Sequence, residues 1–445
     1  MKLNRSKLFA VVAIVFALIA QHRVQAQQKI SNLNRDRAEE MLRMIRDDVK
    51  KNYYDSSYHG IDLDARFKTY DDRIKQSQYL GDAFTYIASY LSALKDSHTF
   101  FVPPSRSYRF DYGLRFQIIG EQAYVTEIRP GSDAASKVHL GDEILSINGY
   151  NVNRGDFHDL TYYLYQLLPQ GGLSMVLRDP SGGERKELVN TKFEQGQRTI
   201  DLTGSGGAID IWNLIRQQEN AEHLLRERWV EQDDVMVWKM PEFFMQESQV
   251  DDMFGKARKH KALILDLRGN PGGSVDTLER VVGNVMDHNV TIATRVARKA
   301  EKPQLAKTRG KDIFEGKLIV LIDSRSASAA ELVARTVQLE HRGTVVGDQS
   351  AGAVMEARFY PEHIGLDTQV FYGASITDAN LIMSDGKSLE GVGVIPDVIV
   401  LPTAADLAAG RDPALSKAAE LAGIKLDPVA AGKLFPFEWA PLEAE

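Results

Sequence analysis

The sequence predicts an α/β protein whose core sheet is covered on both faces. Four short apolar runs in the second half of the chain are typical of strands, and segments long enough for helices separate them. These runs are Met236 to Met240, Lys261 to Leu267, Lys317 to Asp323 and Gly343 to Asp348. Continuous apolar strands that alternate with helices indicate a sheet buried on both faces. We assign residues 193–402 to this core and residues 403–445 to a C-terminal tail.

The first 26 residues have the features of a secretory signal. Three basic residues precede an apolar run from Leu8 to Ala20, and a polar stretch then ends at Ala26. As a helix the apolar run would span about 20 Å, which is short of the roughly 30 Å core of a bilayer. We therefore predict cleavage after Ala26 and export to the periplasm or beyond the cell, with an uncleaved membrane anchor as the alternative.

Charge and cysteine content exclude several classes of function. The formal charge is −7, and loss of residues 1–26, which hold four basic residues and no acid, lowers it to −11. This acidity argues against a nucleic-acid partner. The chain contains 0 cysteines, which excludes disulfides, thiolate nucleophiles and cysteine zinc sites.

Residues 27–106 have the pattern of an N-terminal helical domain. Apolar residues recur at helical spacing from Ala38 to Val49, and a second apolar run extends from Leu80 to Leu91. The pair Pro103-Pro104 indicates a loop at the end of this domain.

Residues 107–192 change to short strands joined by turns. The segments Gly113 to Ile119 and Ala123 to Ile128 are typical of strands, and His139 to Val152 is typical of a hairpin. The run Leu140-Gly141-Asp142-Glu143-Ile144-Leu145, together with Gly113-Leu114-Arg115-Phe116, resembles a PDZ domain.

The PDZ resemblance implies a peptide-binding function. Such a domain adds a peptide as an extra strand and holds its terminal carboxylate on backbone N–H groups, with a preference for apolar C-termini. The residues that match the carboxylate-binding loop are Gly113, Leu114, Arg115 and Phe116. The alternative is a domain that only packs against its neighbours.

A glycine-rich segment, Asp266 to Gly273 (DLRGNPGG), follows one of the predicted strands. It lacks the Gly-x-Gly-x-x-Gly dinucleotide fingerprint, and no Gly-Lys-Ser/Thr follows as in a P-loop. The remaining interpretations are a tight turn, or a loop whose backbone N–H groups stabilise an oxyanion at the carboxyl end of the sheet.

A serine-rich segment, SRSASAAELVARTVQ, leads from another predicted strand into a predicted helix. Its serines are Ser324, Ser326 and Ser328, and Glu331 lies three residues after the last. A Ser-x-x-Glu spacing is the signature of a helix capping box, which involves no chemistry. Ser328 is therefore either a helix cap or a nucleophile.

Two further candidates lie far from this segment in sequence. His98 follows Asp96-Ser97 at the end of the helical domain, and Glu390 precedes a turn formed by Gly391, Gly393 and Pro396. A lone histidine is more often a surface or hydrogen-bonded residue than a catalytic one. Glu390 can face either solvent or the floor of an active site.

In the order His98, Gly272/Gly273, Ser328, Glu390, these motifs resemble the S41 serine peptidases, the family of the tail-specific (C-terminal processing) proteases and the tricorn core protease. The resemblance covers nearly the whole chain after residue 26. It implies a core of the ClpP/crotonase type with an inserted PDZ domain. It also implies that the nucleophile is the serine three residues before the glutamate, here Ser328.

One departure from the family pattern selects a branch. In the processing-protease branch the base is a lysine twenty-five residues after the nucleophile, but here that position is Ala353, and the neighbouring sequence contains no lysine. The branch that includes the tricorn core uses a histidine that precedes the PDZ domain, flanked by a serine, with a glutamate late in the chain. Ser97, His98 and Glu390 match those positions.

The resemblance implies a role for each residue. His98 would act as the base for Ser328, and Glu390 would orient the imidazole through the Ser97 hydroxyl. The N–H groups of Gly272 or Gly273 and of Ala329 would form the oxyanion hole.

We therefore expect an exported serine endopeptidase whose substrates are proteins or peptides with exposed apolar C-termini. We expect no nucleic-acid partner, and no stable membrane anchor after signal cleavage. A metalloprotease is excluded as a motif because His-Glu-x-x-His does not occur, and we expect no metal or other cofactor. The alternative is a non-catalytic binding protein that retains the peptidase and PDZ folds.

Overall fold

The computed structural model describes residues 29–106, 108–195, 228–365 and 369–439. The predicted signal segment, residues 1–26, lies outside these residues. The described chain forms an N-terminal helical region, an inserted β-rich domain over residues 108–195 and an α/β core. This arrangement confirms the predicted α/β fold class.

Three amphipathic helices form the N-terminal region. They are α1 (Asn32–Asn52), α2 (Leu63–Gln76) and α3 (Leu80–Ser92). Their apolar faces meet around Leu42, Ile45 and Tyr90, which are fully buried. The chain then enters strand β1 (Phe100–Val102), which pairs antiparallel with a long strand of the core. This pairing fixes the helices, and the residues between α3 and β1, to the core.

The inserted domain consists of short strands, a 3-10 helix (Ala134–Ser136) and an α-helix with a π-helical extension. Its elements are β2 (Tyr108–Asp111), β3 (Leu114–Ile119), β4 (Gln122–Ile128), β5 (Glu143–Ile147), β6 (Tyr150–Asn151), α4 (Phe157–Tyr162), β7 (Gly172–Arg178), β8 (Glu184–Asn190) and β9 (Lys192–Gln195). The main sheet has the order β3-β4-β5-β7-β8, with β6 paired to β5. The antiparallel pair β2–β9 joins the two ends of the domain.

The core contains two sheets and the helices that cover them. The first part comprises β10 (Arg228–Gln232), β11 (Val235–Lys239), α5 (Glu247–Ala257), β12 (Ala262–Asp266), α6 (Val275–Gly283), β13 (Val290–Ala297), β14 (Glu301–Ala306) and β15 (Lys317–Ile322). The second part comprises α7 (Ala329–Leu339), β16 (Gly343–Gly347), β17 (Met355–Ile364), β18 (Val370–Met383), β19 (Val398–Ile399), α8 (Ala404–Ala408), α9 (Pro413–Ala422) and α10 (Pro428–Gly432).

The main core sheet has the order β10-β11-β12-β15-β16-β19 and is parallel except for β10. One face packs against α5, α6 and α7, and the other packs against α9 and α10. The residues of β12 are buried at every position, as expected for a strand covered on both sides. The second sheet has the order β1-β18-β13-β14, with β17 paired to β18.

The segment that we assigned to a C-terminal tail contains helices α8, α9 and α10, and the last two complete the core. Across the described residues, no helix combines the length and the apolar character needed to cross a membrane.

Candidate active site

Ser328 lies at the junction where β15 leads into α7. Its backbone has φ 53° and ψ −117°, a conformation that residues with a side chain rarely adopt. Such a conformation costs about 1–3 kcal/mol and persists only where the surroundings enforce it. Two hydrogen bonds do so here, because the Ser328 N–H donates to the Ala353 carbonyl at 2.9 Å and to Glu331 Oε2 at 3.0 Å. A sharp strand-to-helix turn of this kind exposes a serine hydroxyl.

Glu331 is fully buried and organises this junction. Besides the Ser328 N–H, its carboxylate accepts hydrogen bonds from the Ser350 hydroxyl at 2.6 Å, the Gly352 N–H at 2.7 Å and the Ala353 N–H at 2.9 Å. Burial raises the pKa of Glu331 to about 7, although these donors act in the opposite direction. The Ser-x-x-Glu spacing thus supplies a clamp for the loop around Ser328.

The three serines of the segment have different environments. Ser324 donates its hydroxyl to the Ile118 carbonyl of the inserted domain. Ser326 is buried, and its hydroxyl donates to the Leu267 carbonyl at 2.8 Å. Ser328 is only partly buried and has the strained backbone. The hydroxyls of Ser324 and Ser326 therefore serve contacts between structural elements.

Ser97, His98 and Glu390 form a hydrogen-bonded chain. The Ser97 hydroxyl lies 2.7 Å from His98 Nδ1 and 3.0 Å from Glu390 Oε2, and the Ser97 N–H donates to Glu390 Oε1 at 2.6 Å. An ionised carboxylate only accepts hydrogen bonds, so the Ser97 hydroxyl donates to Glu390 and accepts from His98 Nδ1–H. This assigns the tautomer in which Nε2 carries the lone pair and can act as a base.

Burial shifts the pKa values of His98 and Glu390. His98 is 3% exposed, and burial lowers its pKa to about 4, opposed by Asp96 and assisted by His158. The imidazole is therefore neutral at pH 7. Burial also raises the pKa of Glu390, while hydrogen bonds from the N–H groups of Ser97 and Val354 counteract the shift.

Asp96, which the sequence analysis did not select, holds the turn that carries Ser97 and His98. Its Oδ1 accepts hydrogen bonds from the His98 N–H at 3.1 Å and the Thr99 N–H at 2.7 Å. The Tyr53 hydroxyl donates to its Oδ2 at 2.8 Å, and the Thr377 hydroxyl donates to Oδ1 at 2.7 Å. An Asp that bonds to backbone N–H groups two and three residues later is a recognisable local pattern, and this pattern is present in Asp-Ser-His-Thr.

Ala353 and Val354 connect the serine junction to the histidine chain. The Ala353 carbonyl accepts the Ser328 N–H, and the Val354 N–H donates to Glu390 Oε2 at 2.8 Å. Ser328, the candidate nucleophile, and Glu390, the carboxylate that bonds to Ser97, are thus fixed to adjacent residues of one loop. Ala353 is also the position at which the sequence departs from the Ser-Lys pattern.

The glycine loop lies against the same junction. Gly272 has φ +94°, and a Cβ atom on it would lie 2.6 Å from Ser328 Cβ and 2.9 Å from the Ala329 nitrogen. The Gly272 N–H donates to Asn270 Oδ1 at 2.8 Å, whereas the N–H groups of Gly273 and Ala329 have no acceptor within the described residues. Of the two glycines, Gly273 is therefore the one whose N–H is available to a ligand, together with that of Ala329.

A buried ion cluster anchors the base of the glycine loop. Asp266 Oδ2 lies 2.8 Å from Arg268 Nη2, and Lys239 Nζ lies 3.2 Å from Asp266 Oδ1. Burial alone would raise the pKa of Asp266, but the two cations outweigh it and hold that pKa far below its usual range. Arg268 also pairs with Asp412, just before α9, at 2.8 Å.

The segment Gly113–Phe116 lies at the start of β3 in the inserted domain. The Gly113 N–H donates to Asp111 Oδ1 at 2.7 Å, and the buried Arg115 guanidinium lies 5.2 Å from the centre of the Phe437 ring. The other end of β3 contacts the core through Ser324. Within the described ranges, no cluster of three or more His, Asp or Glu side chains could hold a metal ion.

A strained serine, two unengaged backbone N–H groups and a buried Glu–Ser–His chain at one edge of an α/β core are the parts that a serine hydrolase requires. The model of Peptidase family S41 matches residues 234–400 of this chain, which include Ser328 and Glu390.

Two relatives by sequence are named as proteases. The chain is 32% identical over 146 residues to the carboxy-terminal-processing protease of Bartonella bacilliformis. This alignment covers 32% of this chain and 31% of the relative. It is 24% identical over 323 residues to the tail-specific protease of Haemophilus influenzae. This alignment covers 68% of this chain and 43% of the relative. The matches thus span less than half the length of these two relatives.

A solved structure shares the fold. The structure of mature CPAF complexed with lactacystin has a TM-score of 0.61 and 15% identity, and the match covers 85% of this chain and 96% of that chain.

Proposed function

We propose that this protein is a serine endopeptidase that hydrolyses peptide bonds in protein or peptide substrates. The observation that carries the proposal is the hydrogen-bonded relay of Glu390, Ser97 and His98, whose carboxylate bonds to the Val354 N–H next to the Ala353 carbonyl that holds the strained Ser328. A binding protein has no need of a buried carboxylate that holds a histidine in its basic tautomer. The S41 family match and the names of the two relatives support the same conclusion.

In the proposed reaction Ser328 Oγ attacks the carbonyl carbon of the scissile bond while His98 Nε2 accepts its proton. The imidazolium that forms donates Nδ1–H to Ser97, which donates to Glu390, so the carboxylate stabilises the positive charge through one hydroxyl. His98 then gives the proton to the leaving amine. A water molecule repeats the sequence with His98 as base and releases the acyl group.

The N–H groups of Gly273 and Ala329 are the proposed donors to the oxyanion of the tetrahedral intermediate. Ala329 is the first residue of α7, so the helix dipole adds to the stabilisation of the negative charge. Loss of one such donor typically costs about 3–4 kcal/mol of transition-state stabilisation.

We further propose that the inserted domain is a PDZ domain and that the protein is exported. The edge strand β3, with Gly113–Phe116 at its start, supports binding of a substrate C-terminus by strand addition. The signal-like residues 1–26 support export to the periplasm.

Ser328→Ala tests the proposal. Hydrolysis of an unfolded protein substrate should fall by about 10⁴-fold or more, because the hydroxyl is the nucleophile. Ser174→Ala, at an exposed position of β7, is the matched control and should retain full activity. Equal turnover by wild type and Ser328→Ala would refute the nucleophile. A wild-type protein that binds peptides without cleaving them would support the non-catalytic alternative.

A further inference from the structure

The N-terminal helical region reaches the candidate active site through Tyr53. This residue directly follows α1, and its side chain is fully buried. Its hydroxyl donates a hydrogen bond to Asp96 Oδ2 at 2.8 Å. The next residue, Tyr54, donates its N–H to the Thr377 carbonyl of β18 at 3.0 Å. The end of α1 is thus fixed both to the core and to the turn that carries His98.

A histidine fixes the direction of the Tyr53 hydrogen bond. His59 Nε2 lies 3.0 Å from the Tyr53 hydroxyl oxygen. Because a carboxylate only accepts hydrogen bonds, the hydroxyl donates its proton to Asp96 and accepts from His59 Nε2–H. On the other side of the ring, His59 Nδ1 lies 3.4 Å from Asp55 Oδ2. The exposed His59 therefore holds the Tyr53 hydroxyl in the orientation that serves Asp96.

Asp96 receives more hydrogen bonds than its turn requires. The N–H groups of His98 and Thr99 are sufficient for an Asx-type turn. The hydroxyls of Tyr53 and Thr377 also donate to the carboxylate. Thr377 is itself held in place, because its N–H donates to Thr99 Oγ1 at 3.0 Å. The four donors fix both carboxylate oxygens of Asp96 beside the histidine.

The charge of Asp96 acts on His98. Burial is the largest effect on the pKa of His98 and lowers it to about 4, whereas Asp96 raises this pKa and His158 lowers it further. A group that raises the pKa of an imidazole stabilises the imidazolium. In the proposed reaction the imidazolium forms when His98 takes the proton of Ser328. Asp96 therefore stabilises a charge that develops during the reaction, and such an interaction raises kcat more than it improves substrate binding.

We propose that Asp96 and Tyr53 are positioning residues of this active site. Asp96 holds the histidine turn and stabilises the His98 imidazolium by its charge, and Tyr53 fixes the Asp96 carboxylate from the end of α1. Both act through His98 and form no bond to the reacting atoms. The histidine is thus served by two carboxylates, Glu390 through Ser97 and Asp96 through the turn. This inference rests on the proposed peptidase function and deepens it, because it makes the N-terminal helical region a part of the catalytic apparatus.

Asp96→Asn tests the role of the charge. The asparagine oxygen can accept the same backbone N–H groups, so the turn is kept while the charge is removed. On one peptide substrate kcat should fall by about 10-fold, which corresponds to one pKa unit of imidazolium stabilisation, and KM should change little. The acidic limb of kcat/KM against pH should move to lower pH, because the pKa of His98 falls without the Asp96 charge. The other groups that face His98, Glu390 through Ser97 and His158 of α4, are the same in both proteins.

Tyr53→Phe tests the contribution of α1. The ring still fills its buried position, but Asp96 Oδ2 loses its hydroxyl donor. We expect kcat to fall by about 3- to 10-fold, the range of a typical hydrogen bond. In the Asp96→Asn protein the same change should lower kcat no further, because both substitutions act through one carboxylate. Tyr86→Phe, which removes the hydroxyl of a half-buried tyrosine of α3, is the matched control and should retain the wild-type kcat.

The outcomes separate this inference from the function on which it rests. An acidic limb that stays in place in Asp96→Asn would overturn the electrostatic role of Asp96 and leave the peptidase intact. Wild-type kcat in Tyr53→Phe would overturn the role of Tyr53. Circular dichroism checks that each variant folds, and if Asp96→Asn does not fold, the kcat of Tyr53→Phe against that of Tyr86→Phe decides the proposal. No cleavage by the wild-type protein would refute the proposed function itself, and with it this inference.

Discussion

The Ser97→Ala variant gives the sharpest test of the proposed relay. It removes the oxygen that lies 2.7 Å from His98 Nδ1 and 3.0 Å from Glu390 Oε2. The Ser97 N–H, which donates to Glu390 Oε1 at 2.6 Å, remains, so the carboxylate keeps part of its support. The His98 ring loses the acceptor that fixes its tautomer and stabilises the imidazolium.

The expected magnitude follows from the hydrogen bond that becomes charge-assisted during the reaction. Such a bond contributes about 1.5–3 kcal/mol. Because each 1.36 kcal/mol corresponds to tenfold in rate, kcat should fall by about 10- to 150-fold. KM should change little, since the ground state contains a neutral imidazole. Ser97→Thr keeps the hydroxyl and should restore most of the lost activity.

The assay compares kcat and KM of wild type, Ser97→Ala and Ser97→Thr on one peptide, together with their thermal unfolding midpoints. Wild-type kcat in Ser97→Ala would refute the relay. A loss as large as that of Ser328→Ala would show that Ser97 does more than orient the ring. A loss that tracks a lowered unfolding midpoint, in both Ser97 variants, would assign Ser97 a structural role.

Three further predictions concern the groups around the relay. Because burial lowers the pKa of His98 to about 4 from an unfolded value near 6.5, this residue binds more protons in the unfolded chain between these values, and its contribution to stability should fall by about 3 kcal/mol as pH drops through this window. Carboxyl groups with a raised pKa, such as Glu331, act in the opposite direction in wild type and in His98→Asn alike, so urea unfolding should show the His98 contribution as the difference between the two proteins, and the kcat of wild type should persist down to about pH 5. Gly272→Ala introduces a Cβ 2.6 Å from Ser328 Cβ and should lower kcat by about 10²-fold in a protein that still unfolds cooperatively; a normal kcat would contradict the packing. Glu331→Gln places an amide N–H₂ among four donors and should lower the free energy of unfolding in urea by about 2 kcal/mol or more, whereas Glu301→Gln at an exposed position should be neutral.

The fold class was predictable because the core strands are apolar without interruption. A strand such as β12, buried at every residue, cannot be accommodated at a solvent-exposed face, so helices on both sides were required. The roles of α9 and α10 were not predictable in this way. Their alanine-rich sequences carry a weak pattern, and their burial depends on an apolar sheet face formed by strands far away in sequence.

The candidate site likewise combines residues that the sequence predicts with geometry that the sequence could not predict. Ser97 and Glu390 are 293 residues apart, and only the order of motifs suggested that they act together. The backbone of Ser328 could not be predicted, because its φ of 53° depends on a buried glutamate and on a loop that begins more than twenty residues later. The occupation of the Gly272 N–H by Asn270 is a further property of the folded loop alone.

The pairing of Arg268 with Asp412 bears on how small a working fragment of this protein can be. The family match ends at residue 400, yet α9 and α10 cover the sheet face that includes Ile264 and Ile319. A fragment that stopped at residue 400 would expose this apolar face to solvent. It would also leave an arginine beside the glycine loop without one of its two carboxylate partners. The packed core therefore extends through α10, about thirty residues beyond the last residue that the family model matches.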